Sequence, residues 1–466
     1  EYIRLIKEGD YQGSIQVIKE RNPFPTVISR ICPAVCESSC RRLLTDEPVA
    51  INHLKRFVCD YEMNQKNRSL PYKAPQTDKR VAVIGGGVEG LSAAFFSARL
   101  GHAPTVFEAS DQFGGILRQA IERKRLSMDV LDWDIEGIEE MGVVLSPNRR
   151  MGEDITIAGL LRDGYDSVFT ATGGWDSRLA RKEADKTANI FPGTYLLIDL
   201  LRLQAQIKAG QSAVIVGDSV KLPEAVSQLK EMGVKEITIL LRAFEQDEAV
   251  DTDRIKKLQE AGADVRFGCG ITKLAGLDEK LTGIETIALD TGVQSDIYTD
   301  MLIIGSGRFP EVVFTRTVET DVAGDSDAVE QAGADNRGPV KWEGVELIKK
   351  PDSGLELGLL SSQDMISEYP SAVAAINGGR KAAAAIHNRM YGIEYQESQG
   401  IIGDRTRLQT VHALDLVAPL PRHIMQTDTA LKDRFSTGYS TQEASGEAER
   451  CLRCGLVCYE KSDSAG

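Results

Sequence analysis

The sequence contains no apolar run of the roughly 18 residues that a helix needs to cross a bilayer. Its first residues, EYIRLIKEGD, are charged and amphipathic and do not have the pattern of a secretion signal. Histidine is scarce as well: the 5 histidines are scattered, and neither a Ser–His–Asp arrangement nor a zinc-protease helix is recognisable. We therefore expect a cytoplasmic protein without a membrane span, and we predict no catalytic side chain.

Positive charge is also in short supply, because 55 lysines and arginines face 69 aspartates and glutamates and leave a net charge of −14. This balance disfavours binding to nucleic acid or to anionic membranes. It does not exclude anionic cofactors, since local backbone dipoles rather than net charge hold their phosphates. With 466 residues, the chain is long enough for several domains with cores of their own.

The 8 cysteines are unevenly spread. A secreted disulfide framework would distribute them through a much shorter chain, whereas tight groups in a long chain indicate metal or cluster ligands in a reducing compartment. Structural or redox thiols are the alternative. The two triplets are Cys32, Cys36 and Cys40, and Cys451, Cys454 and Cys458. Cys59 and Cys269 stand apart and are predicted to be buried small hydrophobes.

After an N-terminal region of short helices and a polar linker, the pattern changes to alternating strands and helices. RVAVIGGG is a buried strand that runs into glycines, and VEGLSAAFFSARLGH is the helix that follows. A second unit of this kind begins at SAVIVGDSVKLPEAVSQLK. This order predicts an α/β fold with parallel, doubly wound sheets and two Rossmann-like units.

The first of these units carries a dinucleotide fingerprint between its strand and its helix. Gly85 permits the tight turn, Gly87 lets the backbone approach a pyrophosphate, and Gly90 lets the helix and the strand pack closely. Glu108 ends the next strand, where a carboxylate accepts hydrogen bonds from a ribose 2′-hydroxyl and repels a 2′-phosphate. The pattern predicts a bound dinucleotide, whose pyrophosphate rests on the helix N-terminus.

Three further features favour FAD over NAD at this site. Gly114 and Gly115 supply a second pair of small residues for a longer, folded-over ligand. Thr172 and Gly173 close a later strand, as in flavoproteins of this kind. Asp364 precedes a small-residue helix over 371–386 that is able to point its N-terminus at a flavin, although a solvated loop acid is the alternative interpretation of that residue.

The second unit retains only one of the three fingerprint glycines, Gly217. Ser219 and Leu222 replace the other two, and Asp218 adds negative charge where a pyrophosphate would lie. Together these changes argue against the usual mode of NAD(P) binding, although the hydrophobic strands should preserve the fold. Arg242 ends the following strand and suits either a 2′-phosphate or the protein surface, of which the surface is favoured.

Taken together, several motifs resemble one family of flavoproteins over nearly the whole chain. The chain is similar to the glutamate synthase small subunit, the N-terminal half of dihydropyrimidine dehydrogenase and the large subunit of NADH-dependent ferredoxin:NADP oxidoreductase. The matching segments are NPFPTVISRICPAVCESSCRR, PVAINHLKRF, VAVIGGGVEGLSAAFFSARLGH, FGGILRQAI, TATGG and AAINGGRKAA. The tail, up to GEAERCLRCG, resembles longer relatives that attach further iron–sulfur modules.

The resemblance implies an N-terminal helical domain that holds two 4Fe–4S clusters. Cys32, Cys36 and Cys40 fall on three of the ligand positions, while the remaining family ligands lie upstream of the segment with which this sequence begins. Lys55 stands where some relatives place a Gln or Glu near the cluster. The implied domains, in chain order, are an iron–sulfur domain (1–70), a first FAD-binding segment (78–190), an inserted NAD(P)-type Rossmann domain with a degenerate fingerprint (191–310), a second FAD-binding segment (311–395) and a cysteine-bearing C-terminal extension (396–466).

The tail triplet is close to a ferredoxin half-motif that is one cysteine short. The simplest hypothesis joins Cys451, Cys454 and Cys458 to one N-terminal cysteine such as Cys40 in a single cluster. Alternatively, each triplet takes its fourth ligand from another chain. Soft thiolates on a short segment suit iron–sulfur clusters, and zinc is the competing metal.

A flavin beside cysteine-rich segments indicates conversion between hydride chemistry and single-electron transfer. We therefore predict a subunit that carries FAD and 4Fe–4S clusters and passes electrons between them within a larger complex. Its partners would be other redox subunits with iron–sulfur clusters or a catalytic centre. An NAD(P)H-dependent oxidoreductase that binds the nicotinamide in an altered way is the first alternative, and a structural adaptor without redox function is the second.

Overall fold

The computed structural model describes residues 1–173, 191–248, 250–305, 309–317, 338–346, 368–393, 420–423 and 438–453. Helices build its N-terminal region, and Gly9 and Asp10 mark the boundary between the first two. Gly9 adopts φ +78° directly after the first helix, and the Asp10 carboxylate caps the second by accepting a hydrogen bond from Gly13 N–H at 2.8 Å. These helices are α1 (Tyr2–Lys7), α2 (Tyr11–Lys19), α3 (Pro25–Ile31) and α4 (Ile51–Gln65), with 3₁₀ turns at Val35–Ser39 and Arg41–Leu44.

The first predicted Rossmann unit forms one half of a sheet of nine strands among the described residues. Its parallel strands lie in the order β3-β2-β1-β4, and most of their residues are buried because helices cover both faces. The strands are β1 (Arg80–Ile84), β2 (Ala103–Phe107), β3 (Val144–Ser146) and β4 (Ser167–Thr170). The connecting helices are α5 (Val88–Arg99), α6 (Ile116–Gln119), α7 (Met128–Glu140) and α8 (Ile157–Arg162).

The second unit forms a separate five-stranded parallel sheet in the order β5-β12-β6-β7-β8, again within the described residues. Its strands are β5 (Thr194–Leu196), β6 (Ser212–Val216), β7 (Glu236–Leu240), β8 (Asp264–Arg266) and β12 (Met301–Ile304). Its helices are α9 (Leu197–Leu203), α10 (Leu222–Glu231) and α11 (Thr252–Glu260). The predicted fold class, an α/β protein with two Rossmann-like units behind an N-terminal helical region, is confirmed.

Antiparallel strands complete the larger sheet beyond β4 in the order β13-β14-β9-β10-β11. They are β9 (Cys269–Leu277), β10 (Lys280–Ala288), β11 (Gln294–Tyr298), β13 (Val312–Arg316) and β14 (Lys341–Glu346). Strands β9 to β11 fall inside the range 191–310, yet they pair with the first sheet rather than with the five-stranded one. Trp342 is buried here and donates its indole hydrogen bond to Asp278 O at 2.8 Å.

Two helices lie in the described residues late in the chain. The small-residue pattern lies in α12 (Glu368–Met390), which packs against α5. A Cβ at Gly379 would come well inside 3.0 Å of the Glu89 carbonyl oxygen, so the glycine sets the closeness of the two helices. The last helix, α13 (Thr441–Glu449), begins with a capping box in which Ser440 and Glu443 satisfy each other's backbone N–H groups. It packs against α1 and α4, far back along the chain.

Asp134 of α7 connects the helical region to the first Rossmann unit. Its buried carboxylate accepts hydrogen bonds from Thr26 N–H at 3.4 Å and Val27 N–H at 2.8 Å, in the first turn of α3. Burial raises the pKa of Asp134 to about 7, against the opposing effect of these two donors.

None of the helices that the structure describes combines the length and the apolar character that crossing a membrane requires.

Candidate cofactor sites

At two fingerprint positions of the turn between β1 and α5, only glycine fits, because no residue with a Cβ has room there. Gly85 adopts φ +109°, and a Cβ there would lie well inside 3.0 Å of the Ala171 carbonyl oxygen at the end of β4. A Cβ at Gly90 would come equally close to the carbonyl oxygen of Gly85. These two glycines are therefore required by the packing of the turn itself, whether or not a ligand is present.

Gly87 differs, because a Cβ built on it would meet no atom of the described residues within 4 Å. It is the N-cap residue of the 12-residue helix α5, so the helix N-terminus opens onto this space. Gly115 stands at the edge of the space, where its Cβ would lie 3.0 Å from Gly87 Cα. Gly114 N–H donates to Gly86 O at 2.8 Å and holds the second glycine pair beside the first turn. We call this open space above Gly87, bounded by Gly114 and Gly115, the dinucleotide cradle.

Glu108 follows β2 with 8% of its surface exposed and lies beside Gly86 at the rim of the cradle. One carboxylate oxygen accepts a hydrogen bond from Gly86 N–H at 2.7 Å, and the other accepts from Ser110 N–H and Ser110 Oγ, both at 2.9 Å. A carboxylate has about four acceptor positions, so about one is left for a ribose hydroxyl. Sequence reasoning missed Ser110, although the short spacing in EAS is typical of a side chain that orients a preceding carboxylate.

Thr172 and Gly173 follow β4 and lie on the other side of the first turn. A Cβ at Gly85 would come within 3.3 Å of Thr172 Cα, so this segment is in contact with the fingerprint loop. The predicted glycines, Thr172 and Glu108 are therefore brought to one end of the parallel strands. The remaining predicted cofactor residue, Asp364, lies outside the described residues, as do Cys454 and Cys458.

In the second Rossmann turn, side chains of the protein itself contact the positions that a ligand would occupy. Gly217 keeps the positive φ of +103°, but the Asp218 carboxylate is bound by Arg254 of α11, whose Nη2 lies 2.7 Å from both of its oxygens. Ser219 Oγ accepts a hydrogen bond from Lys221 N–H at 3.2 Å, and the helix begins only at the buried Leu222. In the first turn the helix begins at Val88, three positions after Gly85. In the second turn it begins at Leu222, five positions after Gly217.

These contacts do not fit the usual pyrophosphate-binding site of a Rossmann turn. An acidic side chain, already paired with a cation, stands at the turn, and a serine hydroxyl caps the backbone that a phosphate would approach. Arg242 is exposed, which agrees with its interpretation as a surface residue.

The N-terminal cysteines lie around the two 3₁₀ turns. Cys32 ends α3 and accepts a hydrogen bond from Ala34 N–H at 3.3 Å, Cys36 is exposed, and Cys40 joins the two turns. All three are free thiols, as are Cys59, Cys269 and Cys451. Cys59 is buried as predicted, and this burial raises its pKa; Cys269 is only half-buried.

Cys451, which follows α13, is brought to the same region from the other end of the sequence. Cys40 and Cys451 pack against one hydrophobic cluster that includes Ile6, Leu54 and Tyr2. Burial, and after it the charges of Cys36, Cys451, Glu37 and Cys32, raise the pKa of the Tyr2 phenol above its usual range. One tyrosine therefore lies within electrostatic reach of thiols from both cysteine triplets.

The chemistry of this donor set fits an iron–sulfur cluster, since it consists of free thiols from short turns. As they stand, the described His, Cys, Asp and Glu side chains include no group of three that could hold a metal ion. Cluster binding therefore requires the thiols to converge further. Burial, followed by Cys32, raises the pKa of Cys36, while the nearby Lys55 lowers it. Burial outweighs Lys55, so the net effect holds the proton on the Cys36 thiol more tightly than in a free cysteine.

Comparison with known proteins finds family matches in both of these regions. Residues 1–67 match the family described as dihydropyrimidine dehydrogenase domain II, 4Fe-4S cluster. Residues 83–130, which include the dinucleotide cradle, match the family described as NAD(P)-binding Rossmann-like domain. The two matches thus describe a chain in which a domain of the 4Fe–4S type precedes a dinucleotide-binding domain of the Rossmann type.

The relatives narrow this description. The NADP(+)-dependent formate dehydrogenase subunit beta of Moorella thermoacetica is 29% identical, over 97% of this chain and 68% of the relative. The NADPH-Fe(3+) oxidoreductase subunit beta of Geobacter sulfurreducens is 27% identical, over 97% and 73%. The NAD-dependent dihydropyrimidine dehydrogenase subunit PreT of Escherichia coli O157:H7 is 25% identical, over 84% and 88%. The resemblance to the dihydropyrimidine dehydrogenase group is confirmed, as is the prediction of an oxidoreductase subunit with iron–sulfur and dinucleotide-binding regions.

Proposed function

We propose that this chain passes electrons between FAD and 4Fe–4S clusters as one subunit of a larger oxidoreductase. The observation that carries the proposal is the dinucleotide cradle, in which no described side chain lies within 4 Å of a Cβ built on Gly87, while Gly85 and Gly90 are tightly packed. A turn kept only for the fold would need Gly85 and Gly90 but not the open position between them.

The residues of the cradle divide the work of holding a dinucleotide. The N-terminus of α5 would hold the pyrophosphate, because its unpaired N–H groups and its dipole favour an anion. Glu108, fixed by Gly86 and Ser110, would accept the ribose hydroxyl. The paired glycines 114 and 115 leave room beside the turn, which supports FAD as the dinucleotide. When bound, FAD supplies the conversion between hydride and single-electron transfer.

The second Rossmann turn supports an electron-transfer role over direct oxidation of a nicotinamide nucleotide. Asp218 and its partner Arg254 stand at the turn where NAD(P) would place its pyrophosphate. Electrons would then reach the flavin from a partner subunit. The names of the relatives, two of which are beta subunits, support such a partner with clusters or a catalytic centre of its own. The free thiols support a reducing, cytoplasmic setting.

A second candidate function has an observation in its favour. The relatives carry NADP(+), NADPH or NAD in their names, which supports an NAD(P)H-dependent oxidoreductase that binds the nicotinamide nucleotide differently. A structural adaptor is disfavoured, because an adaptor has no use for an open cradle with an anchored carboxylate.

The test is the colour of the full chain purified without oxygen, followed by its response to reductants. We expect yellow-brown protein with bound FAD and iron, bleached by dithionite and unchanged by NADH or NADPH. Bleaching by NADPH would favour the second candidate, and protein without FAD would overturn the proposal.

A matched pair of variants tests the cradle itself. Gly87→Leu should fold and lose FAD, because the new side chain fills the space above the turn without striking protein atoms. Gly338→Leu is the control, since a Cβ at Gly338 also meets nothing within 4 Å and lies far from the turn in sequence. Equal FAD content in the two variants would contradict the assigned site.

A further inference from the structure

Helix α4 begins without a cap from its own sequence. Its N-cap residue is Ala50, whose side chain has no acceptor for the N–H groups of the first turn. Two buried carboxylates from elsewhere in the chain take that place. Glu447 accepts a hydrogen bond from Ala50 N–H at 2.8 Å, and Glu37 accepts one from Asn52 N–H at 3.1 Å. The start of α4 is therefore fixed by residues 397 and 15 positions away.

Both of these carboxylates depend on residues late in the chain. Glu37 pairs with Arg422, whose Nη2 lies 2.5 Å from its Oε2. Glu447 belongs to α13, and its second oxygen accepts a hydrogen bond from His423 N–H at 2.9 Å. A buried carboxylate is costly unless it is paired, so displacement of the late residues would leave both unsatisfied. We call residues 420–423 and 438–450 the strap.

Arg450 connects the strap to the loop that precedes α4. Only 1% of the residue is exposed, and a buried guanidinium needs acceptors for most of its N–H groups. Three of its five acceptors belong to residues 46–48, and the other two belong to the strap. They are Asp46 at 3.0 Å, Glu47 O at 2.6 Å and Pro48 O at 3.3 Å, and Glu447 at 2.7 Å and Leu420 O at 3.2 Å.

Arg42 completes a buried network of charges around this contact. It shares the Asp46 carboxylate with Arg450 and also donates a hydrogen bond to Arg450 O at 3.2 Å. The four charged side chains, which include Glu447, each have at most 12% of their surface exposed. Such a network is stable only when every member is paired, since an unpaired buried charge bears the full cost of desolvation.

The strap also contributes to the apolar core of the N-terminal helices. Three of its side chains are buried in the same hydrophobic cluster as Leu54 and Cys59 of α4, namely Tyr439, Ala444 and Ala448. The Tyr439 hydroxyl donates a hydrogen bond to the carbonyl oxygen of His423 and so joins the two stretches of the strap. The strap thus covers one face of α4 and binds its first turn.

We propose that the N-terminal helical domain is a composite of both ends of the sequence, in which the strap holds the cysteine-bearing loop (residues 32–50) and the start of α4 in place. The match to the 4Fe-4S domain family covers residues 1–67 and does not include the strap. Arg450 and Glu447 are its positioning residues. Without them, the loop and the first turn of α4 open locally while the two Rossmann units stay folded. None of these contacts involves a cofactor, so the role of the strap does not depend on the proposed function.

Amide hydrogen exchange of the full chain, read by mass spectrometry, tests the strap in the variant Arg450→Met. Methionine keeps much of the length of the side chain but removes all five hydrogen bonds. Exchange in the loop and in the first turn of α4 should become at least about 100-fold faster, because a broken buried charge network is strongly destabilising. Exchange in β6 of the second Rossmann unit should stay as in the wild type.

Arg254→Met is the matched control. It removes a comparable ion pair, with Asp218 at 2.7 Å, from the second Rossmann unit and should leave exchange in the cysteine-bearing loop unchanged. Wild-type exchange of the loop in Arg450→Met, or equal acceleration in Arg254→Met, would overturn the proposal. Faster exchange of β6 in Arg450→Met would also overturn it, because the effect would then be a general loss of the fold.

Tyr439→Phe keeps the test decisive if Arg450→Met does not fold. The variant removes only the hydroxyl that joins the two stretches of the strap, so exchange in the loop should become about 2- to 10-fold faster. Labelling of Cys59 is a second readout, since its thiol is fully buried in the cluster that the strap completes. Peptide mapping should show faster labelling of Cys59 by the same factor. Exchange and labelling that both stay at the wild-type rates would contradict the strap.

Discussion

The two Rossmann turns of this chain share their first glycine, but they differ in where the helix begins and in the residues at the second and third fingerprint positions. The first glycine is kept in both, with φ +109° at Gly85 and +103° at Gly217. Each of these glycines faces the end of the neighbouring strand: Gly85 faces Ala171, and a Cβ added at Gly217 would lie 3.7 Å from Gly305 Cα. The first glycine is thus a requirement of the fold, which explains why it survives where the others do not.

The second and third fingerprint positions show what a ligand site requires in addition. Gly87 is open and Ser219 is occupied by a hydrogen bond to the backbone; Gly90 touches the turn and Leu222 is a core residue at the start of its helix. Comparison of the two turns therefore separates residues that build the strand–turn–helix unit from residues that bind a dinucleotide. Four predictions test this separation, beginning with the largest expected effect.

Substitutions at the third position should destabilise both units but should abolish FAD binding only in the first turn. Gly90→Val should lower the free energy of unfolding by at least about 3 kcal/mol and abolish FAD binding, because any side chain strikes the Gly85 carbonyl. Leu222→Ala should also cost about 2–5 kcal/mol, through a cavity, but should leave FAD in place. Denaturant unfolding and FAD content of both variants are the measurements. FAD retained in Gly90→Val would break the comparison.

Neutralising the acidic residue of each turn should affect FAD affinity in the first turn only. Glu108→Gln should weaken FAD binding about 10- to 100-fold, because the amide replaces a charge-assisted acceptor by a donor facing Gly86 N–H or the ribose. Asp218→Asn, the equivalent loss of charge in the second turn, should leave FAD affinity unchanged. Titration of FAD into the apoprotein measures both, and similar losses would mean that the two turns are not independent.

Restoring glycines at two positions of the second turn should give it weak affinity for a nicotinamide nucleotide. In the variant Asp218→Gly with Ser219→Gly, Arg254 loses its carboxylate partner and the backbone is no longer capped, so weak binding of NADPH should appear. Adding Arg254→Met should remove that binding again. Calorimetric titration compares these variants with the wild type. Wild-type protein that already binds NADPH as tightly as the opened variant would refute the assignment of the ion pair as an obstacle.

Acid should weaken the first unit before the second. His102 precedes β2, is buried, and contacts Thr77 Oγ1 at 2.8 Å and His387 Nδ1 at 3.0 Å; the equivalent residue before β7 is Lys235. Burial, and after it His387, lowers the pKa of His102 to about 4. Because the folded state disfavours the proton, stability is complete above about pH 6.5 and falls as the pH drops toward 4, by on the order of 1–2 kcal/mol.

The measurement is the thermal midpoint of wild-type protein and His102→Asn between pH 7 and pH 4. The variant should show a shallower decline than the wild type over this range. Equal slopes would mean that another group governs the acid response of this unit.

Much of this arrangement is predictable from local sequence. The buried strand RVAVI and the glycines after it specify β1 and the first turn, because hydrophobic run and glycine spacing are local signals. The small-residue run likewise predicts α12, and Gly378 and Gly379 explain its close packing on α5. The spacing of Gly217, Ser219 and Leu222 is enough to predict that the second turn departs from the usual site.

Other features depend on contacts that spacing does not reveal. The sequence predicts that Asp218 repels a pyrophosphate, but its partner Arg254 lies 36 residues away on another helix. The pairing of β9 to β11 with the first sheet depends on the course of the chain in space. The hydrogen bond from the Arg42 side chain to the Arg450 carbonyl oxygen spans 408 residues, so sequence spacing does not reveal it.

The hydrogen bonds of Asp134 have a consequence for how the protein melts. They tie the first turn of α3, the helix that leads to Cys32, to α7 beneath the nucleotide-binding unit through buried atoms. A ligand that binds only the native state raises the melting temperature of the region that binds it. Because the Asp134 hydrogen bonds join that region to α3, the cysteine-bearing helices should be stabilised with it. Occupancy of the nucleotide site should therefore delay thermal loss of the cysteine-bearing helices, so that both regions unfold in a single cooperative step.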